Sequence, residues 1–333
     1  MKKDVFVQKS DSRDLGIEVL KAIAAILVMN SHMSAMYGKY AFLATGGAIG
    51  DALFFFCSGY TLFLGKIFDF PNWYKRRIQR IYPTVIVMSL LFAHYHMDQI
   101  QYVIKANLGS GWFVSCIFIY YAILYPIRKY FSSHLNLVLC FVGVITVLWY
   151  IFIGVEPKSA CNIYGATYFK YCFFFMYMLF GAMCGKKYFE KKTKIYRSMI
   201  SLLATIVSVV AFYGIYVYTK QNNLESIQLL SLLPLFGVCY FLWNFCESDF
   251  MIKVVHKKII GPIILFIGGL CLEIYLAQGI VFTTKLNYIF PLNIPMIMMG
   301  VIIVAYFVRS LSRFFLQTFQ HANYDWKAIL RLV

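Results

Sequence analysis

The chain has 333 residues, of which 61% are hydrophobic and only 14% are charged, and its mean hydropathy is +0.70. A soluble domain keeps about a quarter of its residues charged because its surface faces water, so this composition excludes the soluble classes. The formal net charge of +17 would suit a nucleic-acid-binding protein. However, the Lys and Arg residues lie in short segments between apolar runs, where they orient a membrane protein. We therefore predict a protein embedded in a lipid bilayer, with no nucleic-acid partner.

Ten apolar runs approach the length of about 20 residues that a helix needs to cross the hydrocarbon layer. In chain order they lie at 15–36, 48–65, 78–97, 112–127, 135–154, 168–185, 199–218, 227–245, 259–282 and 289–311. The sequence thus predicts an all-α fold, a polytopic integral membrane helix bundle of about ten transmembrane helices. It divides into an N-terminal segment (1–14), one transmembrane domain (15–311) and a C-terminal tail (312–333).

The charge distribution predicts the orientation of these spans. Most of the 31 Lys and Arg residues fall in segments on the same side of the bilayer as the N-terminus. Because cytoplasmic loops are enriched in Lys and Arg, we expect both termini to be cytoplasmic in a multi-pass protein of the cell inner (plasma) membrane. Removing one span would exchange the two sides for every later loop, so the asymmetry also favours the ten-span count.

The nine cysteines show no CxxC pair and no metal-ligand spacing. All except Cys161 fall within apolar runs, where cysteine behaves as a small hydrophobic residue. We therefore predict neither a disulfide framework nor a metal site.

The first run carries an unusual polar face. Ionisable side chains are costly in hydrocarbon and commonly mark functional sites. In a continuous helix, Lys21 and His32 fall within about 20° of each other and about 17 Å apart along the axis, with Glu18 about 60° from Lys21. His32 is a candidate catalytic base. The structural alternative is that Glu18 pairs with Lys21 while His32 hydrogen-bonds another helix.

Two carboxylates in other spans are candidate partners of His32. Asp51, in the second run, lies at a predicted depth similar to that of His32 and could orient its imidazole. Its alternative role is that of an anion near a helix N-terminus. Glu273, in the ninth run, is the second candidate, and its alternative role is an interhelical hydrogen bond in the protonated form.

A basic cluster precedes the third run, where segment 74–83 reads YKRRIQRIYP. Arg76, Arg77 and Arg80 stand together at the predicted cytoplasmic entrance of the span. Guanidinium groups match the geometry of phosphate, so the cluster could bind an anionic ligand. Alternatively, these residues only set the topology or contact anionic lipid head groups.

These segments together resemble the acyltransferase 3 family of bacterial membrane acyltransferases, from about residue 13 to residue 311. Segment 21–32 (KAIAAILVMNSH) is similar to the family's opening, in which a basic residue precedes a His by eleven positions. Segment 50–60 (GDALFFFCSGY) resembles its G-x-x-LFF-x-x-SG segment, and 76–80 its RRxxR motif. Three later segments are also similar to segments of the family and follow in the same order along the chain. They are the stretch that begins at Trp112, the pair Phe180-Gly181, and segment 272–276 (LEIYL).

Three positions depart from the family pattern. Lys21 replaces the usual Arg, which removes bidentate binding there. Gln278 stands where many members carry His, and the fourth element lacks the Glu that often follows its Trp.

The resemblance implies transfer of an acyl group, usually acetyl, from acyl-CoA to a hydroxyl of an envelope glycan or a lipid-linked saccharide. In that reading acetyl-CoA is a co-substrate bound at Arg76, Arg77, Arg80 and Lys21. His32 is the base or the transiently acylated group, with Asp51 and Glu273 beside it. The alternative class is a transporter or flippase of an envelope precursor, which would also use charges inside the membrane.

Overall fold

The apolar runs form helices because a backbone in hydrocarbon must pair its N–H and C=O groups within one segment. The computed structural model describes residues 14–65, 69–95, 111–155, 163–165, 168–190, 197–320 and 323–332. Every regular element within these ranges is helical, which confirms the all-α prediction. Of the predicted N-terminal segment, only Asp14 lies inside the described residues.

The α-helices are α1 (Leu15–Ser31), α2 (Ser34–Tyr37), α3 (Gly47–Leu64), α4 (Phe70–Tyr95), α5 (Gly111–Tyr130), α6 (Leu135–Phe152), α7 (Lys170–Phe189), α8 (Ser198–Gln221), α9 (Glu225–Gln228), α10 (Leu232–Cys246), α11 (Asp249–Val255), α12 (Ile260–Gly269), α13 (Cys271–Val281), α14 (Asn293–Thr318) and α15 (Trp326–Ile329). Short 3-10 segments lie at Gly38–Leu43, Ser132–His134, Leu229–Ser231 and Asn287–Ile289. A helix therefore stands at each of the ten predicted runs.

The number of membrane crossings is supported only in part. Among the described residues, 6 helices are individually long and apolar enough to cross a membrane. Up to 8 spans result if two bent pairs each count as one: α1 with Ser34–Leu43, bent by 65°, and α12 with α13, bent by 78°. Helices α4 and α7 are not among these candidates. The ten-span count and the side of the termini stay predictions.

Several boundaries differ from the sequence prediction, and two of these differences concern candidate site residues. Helix α1 ends at Ser31, five residues before the predicted end of the first run, because Asn30 turns the chain. The Asn30 carboxamide donates to the carbonyl oxygens of Leu43 (2.8 Å) and Thr45 (3.0 Å), which holds the returning segment against the helix end. Helix α4 begins at Phe70, well before residue 78, so the arginine cluster lies on the helix itself.

The chain divides into two compact units. The first comprises residues 1–24, 48–67 and 126–262, and the second comprises 25–47, 68–125 and 263–333. Phe63, Leu135 and Ala182 form a buried apolar cluster in the first unit. In the second unit, Val87 and Met88 of α4 pack with Val308 of α14, with side chains of α13 around them.

Helices α3 and α7 of the first unit cross at two glycines. A Cβ on Gly59 would lie closer than 3.0 Å to the backbone oxygen of Met178, and one on Gly181 equally close to that of Phe56. Glycine is therefore required at both positions for the backbones to approach. These glycines belong to the two family-like segments around residues 50–60 and 180–181.

Exposure separates the helices that form the interior from those that face outwards. In α3, 67% of the apolar window is buried, whereas the figures for Ser132–Phe152 and α8 are 11% and 17%. Apolar helices with so little protein contact suit lipid hydrocarbon, where an exposed apolar side chain has no cost. This pattern agrees with the membrane assignment.

Candidate active site

His32 lies directly after α1, at the turn where the chain leaves the helix. Its backbone N–H bonds to the Met29 oxygen at 3.3 Å, and the Ser31 hydroxyl donates to the Val28 oxygen at 2.7 Å. The imidazole is exposed. The structure thus places this ring at a bend of the chain, not inside a continuous helix as the sequence predicts, and an exposed ring is accessible to a substrate.

The imidazole is held by an amide from α13. His32 Nδ1 lies 2.7 Å from Gln278 Oε1. An amide oxygen only accepts hydrogen bonds, so this contact requires the proton of a neutral imidazole on Nδ1. The basic lone pair is then on Nε2, the nitrogen positioned for proton abstraction or acyl attack.

Aromatic rings lie beside His32. The Tyr275 ring, also on α13, meets the imidazole edge-on with centroids 6.4 Å apart. Tyr275 in turn packs on Phe113 of α5 at 5.3 Å, and Phe113 packs on Trp112 at 5.8 Å. The Trp-led segment that the sequence singles out therefore reaches the histidine through two rings.

Glu273 lies on α13 one and a half turns before Gln278 and has different neighbours. Its carboxylate is 3.5 Å from the Thr84 hydroxyl of α4, and the charges acting on it come from Arg309, Arg80 and Arg313. The hydrogen bond that the structure gives to His32 Nδ1 comes from Gln278, so the role of Glu273 as a partner of His32 stays a prediction.

The break between α12 and α13 is stabilised by an arginine. The Gly269 carbonyl, left without a helical partner at the break, accepts a hydrogen bond from Arg309 Nη1 of α14 at 2.6 Å. Backbone interrupted at membrane depth is tolerated where its polar groups are satisfied by protein. Arg309, assigned by sequence only to the basic side, therefore supports the helix that carries Glu273, Tyr275 and Gln278.

The three predicted donor-binding arginines lie on the first turns of α4. Arg76 and Arg80 are exposed and stand four residues apart, on one face of the helix. The Arg77 guanidinium instead stacks on the buried Trp73 ring, 4.5 Å from its centroid. The structure brings Arg76 and Arg80 together as an exposed basic face and separates Arg77 from it by this cation–π contact.

The remaining two predicted site residues belong to the first unit. Lys21 forms an ion pair with Glu18 at 2.8 Å within α1, which is the pairing that the structural alternative proposes. Asp51, in α3, is acted on by the charge of Lys170, a buried residue that begins α7. The proposed partnership of Asp51 with His32 stays a prediction.

A pair of carboxyl groups, half-buried Asp14 and buried Glu247, lies at the start of α1 and was missed by the sequence analysis. Asp14 caps the helix through Oδ1, which accepts from the Ile17 N–H at 3.1 Å, while Oδ2 accepts from the Tyr60 hydroxyl at 3.0 Å. Glu247, directly after α10, is close enough for the charge of Asp14 to act on it, and its Oε2 accepts from the Tyr188 hydroxyl at 3.4 Å. Only the Asp14 cap was visible in the sequence, as an Asp before an apolar helix.

The pKa of Glu247 follows from this setting. Burial, reinforced by the negative charge of Asp14, raises the pKa of Glu247 to about 9. The raised pKa favours the protonated form of Glu247 at neutral pH.

Comparison with known proteins identifies the family. The acyltransferase 3 model, described as an acyltransferase domain, matches residues 14–311. No curated protein and no solved structure was found to match the chain. The match covers most of the chain and includes His32, Asp51, Glu273 and the α4 arginines. It also accords with the apolar helices described above. The chain therefore belongs to the acyltransferase 3 family and is a membrane acyltransferase.

Proposed function

We propose that this acyltransferase moves an acyl group, acetyl in the first instance, from acyl-CoA to a hydroxyl of a cell-surface glycan or its lipid-linked precursor. It would act in the inner membrane, with the CoA donor entering from the cytoplasmic side. The observation that carries the proposal is the imidazole of His32, exposed and held at Nδ1 by an acceptor, as a catalytic base requires.

The transfer moves one proton in two steps. The acceptor hydroxyl gives its proton to His32 Nε2 as its oxygen attacks the thioester carbonyl carbon. The carbon–sulfur bond then breaks, and the sulfur of CoA leaves with the proton returned by the imidazolium. In the alternative order, Nε2 attacks the carbonyl first and CoA leaves as the thiolate. The hydroxyl then breaks the acyl–nitrogen bond, and its proton goes to solvent.

The donor head group suits the exposed face of Arg76 and Arg80, because guanidinium groups bind phosphates bidentately. Arg80 also acts electrostatically on Glu273, and Gln278, which holds His32, lies about 7.5 Å further along α13. Helix α13 thus connects the proposed phosphate site to the proposed reacting centre within one unit.

The test is acyl transfer by purified protein in liposomes, with acetyl-CoA labelled in its acetyl group. We expect label on the protein or on added envelope lipids and glycans with the unsubstituted chain. His32→Ala should reduce the rate by about 100-fold or more, the usual contribution of a general base. The matched control is His134→Ala, an exposed histidine in a 3-10 turn, which should keep full activity.

The outcomes also address the transporter alternative. Two bent helices, at α1 and at α12–α13, are the feature that favours it, because transporters bind substrates at interrupted helices. Movement of a labelled lipid-linked saccharide across the liposome membrane without acetyl-CoA, together with no acetyl transfer, would overturn the acyltransferase proposal. Full acyl transfer by His32→Ala would overturn the assignment of the base.

A further inference from the structure

Gln278 of α13 is the residue that contacts the proposed catalytic base. Its side chain is only 5% exposed, and Oε1 lies 2.7 Å from His32 Nδ1. Its other amide atom, Nε2, is buried and has no hydrogen-bond partner within the part of the chain that the structure describes. A buried amide with an unfilled donor carries a desolvation cost that an apolar side chain of similar size would avoid.

We propose that Gln278 is a positioning residue that holds His32 in the tautomer required for acyl transfer. This inference rests on the proposed function and extends it. Nδ1 donates to the amide oxygen, so the lone pair stays on Nε2. Without that acceptor, the neutral ring would distribute between two tautomers and several orientations, and only part of the population would present a base at Nε2.

An amide differs from a carboxylate at this position because it carries no charge. A carboxylate at the same distance would stabilise the protonated imidazolium, whereas Gln278 orients the ring without favouring its charged form. A base must be unprotonated at the start of the reaction, so a neutral partner preserves the active fraction of His32 near neutral pH.

The other ionisable groups around this contact have their own partners. Tyr275 meets the ring by its edge, and the Tyr37 hydroxyl donates to Asn30 at 2.7 Å. On α13, Glu273 is acted on by Arg309, Arg80 and Arg313. Lys39, in the following 3-10 segment, lies over the Tyr40 ring at 5.1 Å. A charge placed at residue 278 would therefore be in direct contact with Nδ1.

Two substitutions separate positioning from packing. Gln278→Met keeps the length of the side chain and removes both the acceptor and the unfilled donor. We expect it to fold as stably as the unsubstituted chain, or more stably, while acyl transfer falls by about 10- to 100-fold, as for other residues that orient a functional histidine. Gln278→Glu keeps the acceptor and adds a negative charge.

The deciding measurement is the pH at which His32 becomes reactive. Diethyl pyrocarbonate modifies neutral imidazole, and mass spectrometry of the peptide that contains His32 reports its extent without any acceptor substrate. In Gln278→Glu the midpoint should move to higher pH by about 1 to 2 pH units, and the acidic limb of kcat/KM should move with it. Gln278→Met should not show this shift.

The control is Gln320→Glu, which adds the same charge at an exposed position of the same unit and should leave the midpoint in place. An unchanged midpoint in folded Gln278→Glu, or full activity in Gln278→Met, would overturn the positioning role while leaving the acyltransferase proposal intact. If the acyltransferase proposal itself were wrong, the result would be different, because the unsubstituted protein would show no acyl transfer.

Discussion

Asp14 and Glu247 are far apart in the sequence, but in the first unit the charge of Asp14 affects the protonation of the Glu247 carboxyl group. The Asp14 carboxylate caps α1 and accepts from Tyr60, and its negative charge acts on the buried carboxyl group of Glu247, directly after α10. Gly16 leaves space for this contact, since a Cβ there would lie 2.5 Å from Glu247 Oε1. Two carboxyl groups so close are stable together when one of them is protonated.

This arrangement predicts a pH-dependent stability. The pKa of Glu247 rises from an ordinary value of 4.5 to about 9 on folding, chiefly through burial. Between these values the folded chain retains a proton that the unfolded chain has released, so the contribution is full below pH 4.5 and is lost as the pH rises towards 9. Glu247→Gln, which stays neutral, should flatten the fall of the thermal unfolding temperature between pH 5 and pH 9.

The measurement is thermal unfolding in detergent across that pH range. Asp249→Asn is the control, because Asp249 is exposed two residues further along the chain and should leave the slope unchanged. Equal slopes for Glu247→Gln and the unsubstituted protein would contradict the raised pKa of Glu247.

Arg128 is another residue whose role in the structure differs from the role that the sequence suggested. The sequence assigns it to the topogenic charge of the basic side, but its guanidinium is 5% exposed and donates to the carbonyl oxygens of Leu62 and Gly65. These are carbonyls at the C-terminal end of α3, where a cation is favourable. The neighbouring Lys129 is exposed and retains the topogenic interpretation.

At the scale of the elements, the crossing of α3 and α7 gives the sharpest mutational prediction. Gly59→Ala and Gly181→Ala should each reduce the stability by about 3 kcal/mol or more, because the atoms that a Cβ would meet are backbone oxygens that cannot rotate away. Gly214→Ala in α8 is the matched control, since nothing lies within 4 Å of a Cβ there. It should be neutral or stabilising by up to about 1 kcal/mol.

Thermal unfolding and the yield of monodisperse protein in detergent report this effect. Normal yield and stability of both Gly59→Ala and Gly181→Ala would show that the helices do not approach so closely. The result also bears on the family-like segments, because it assigns their glycines to packing and not to chemistry.

At the scale of the whole molecule, the sequence predicts ten membrane crossings, whereas the structure supports six to eight among the described residues. Helices stand at all ten predicted runs, and six to eight of the described spans pass a test of length and composition. Helix α4 is less apolar than the others because its first turns carry Arg76, Arg77 and Arg80. The orientation of the bundle is a prediction from charge alone.

That orientation is testable with single cysteines. Lys285 and Lys253 are both exposed and are predicted to lie on the outer and the cytoplasmic side. In spheroplasts, a membrane-impermeant maleimide should label Lys285→Cys at once and Lys253→Cys only after permeabilisation. The unsubstituted protein measures the background from native cysteines. Labelling of both positions from the same side would contradict the ten-span topology.

The sequence by itself determined the membrane class and the helical fold, and it predicted the residues around which we propose the site is built. These are properties of local composition: the length of an apolar run indicates a helix that can cross a bilayer, and an ionisable side chain within such a run commonly marks a functional site. The order of His32, the LFF segment and RRxxR also indicated the family that the match over 14–311 confirms.

Only the tertiary structure decided which side chains meet. Gln278 and His32 are 246 positions apart, and no local pattern specifies a hydrogen bond between segments so distant. For the same reason, the structure paired Asp14 with Glu247 and buried Arg128 against the end of α3. The sequence could not predict that α1 ends at Ser31 either, because the hydrogen bonds at that end join the Asn30 side chain to carbonyls 13 and 15 positions further along the chain.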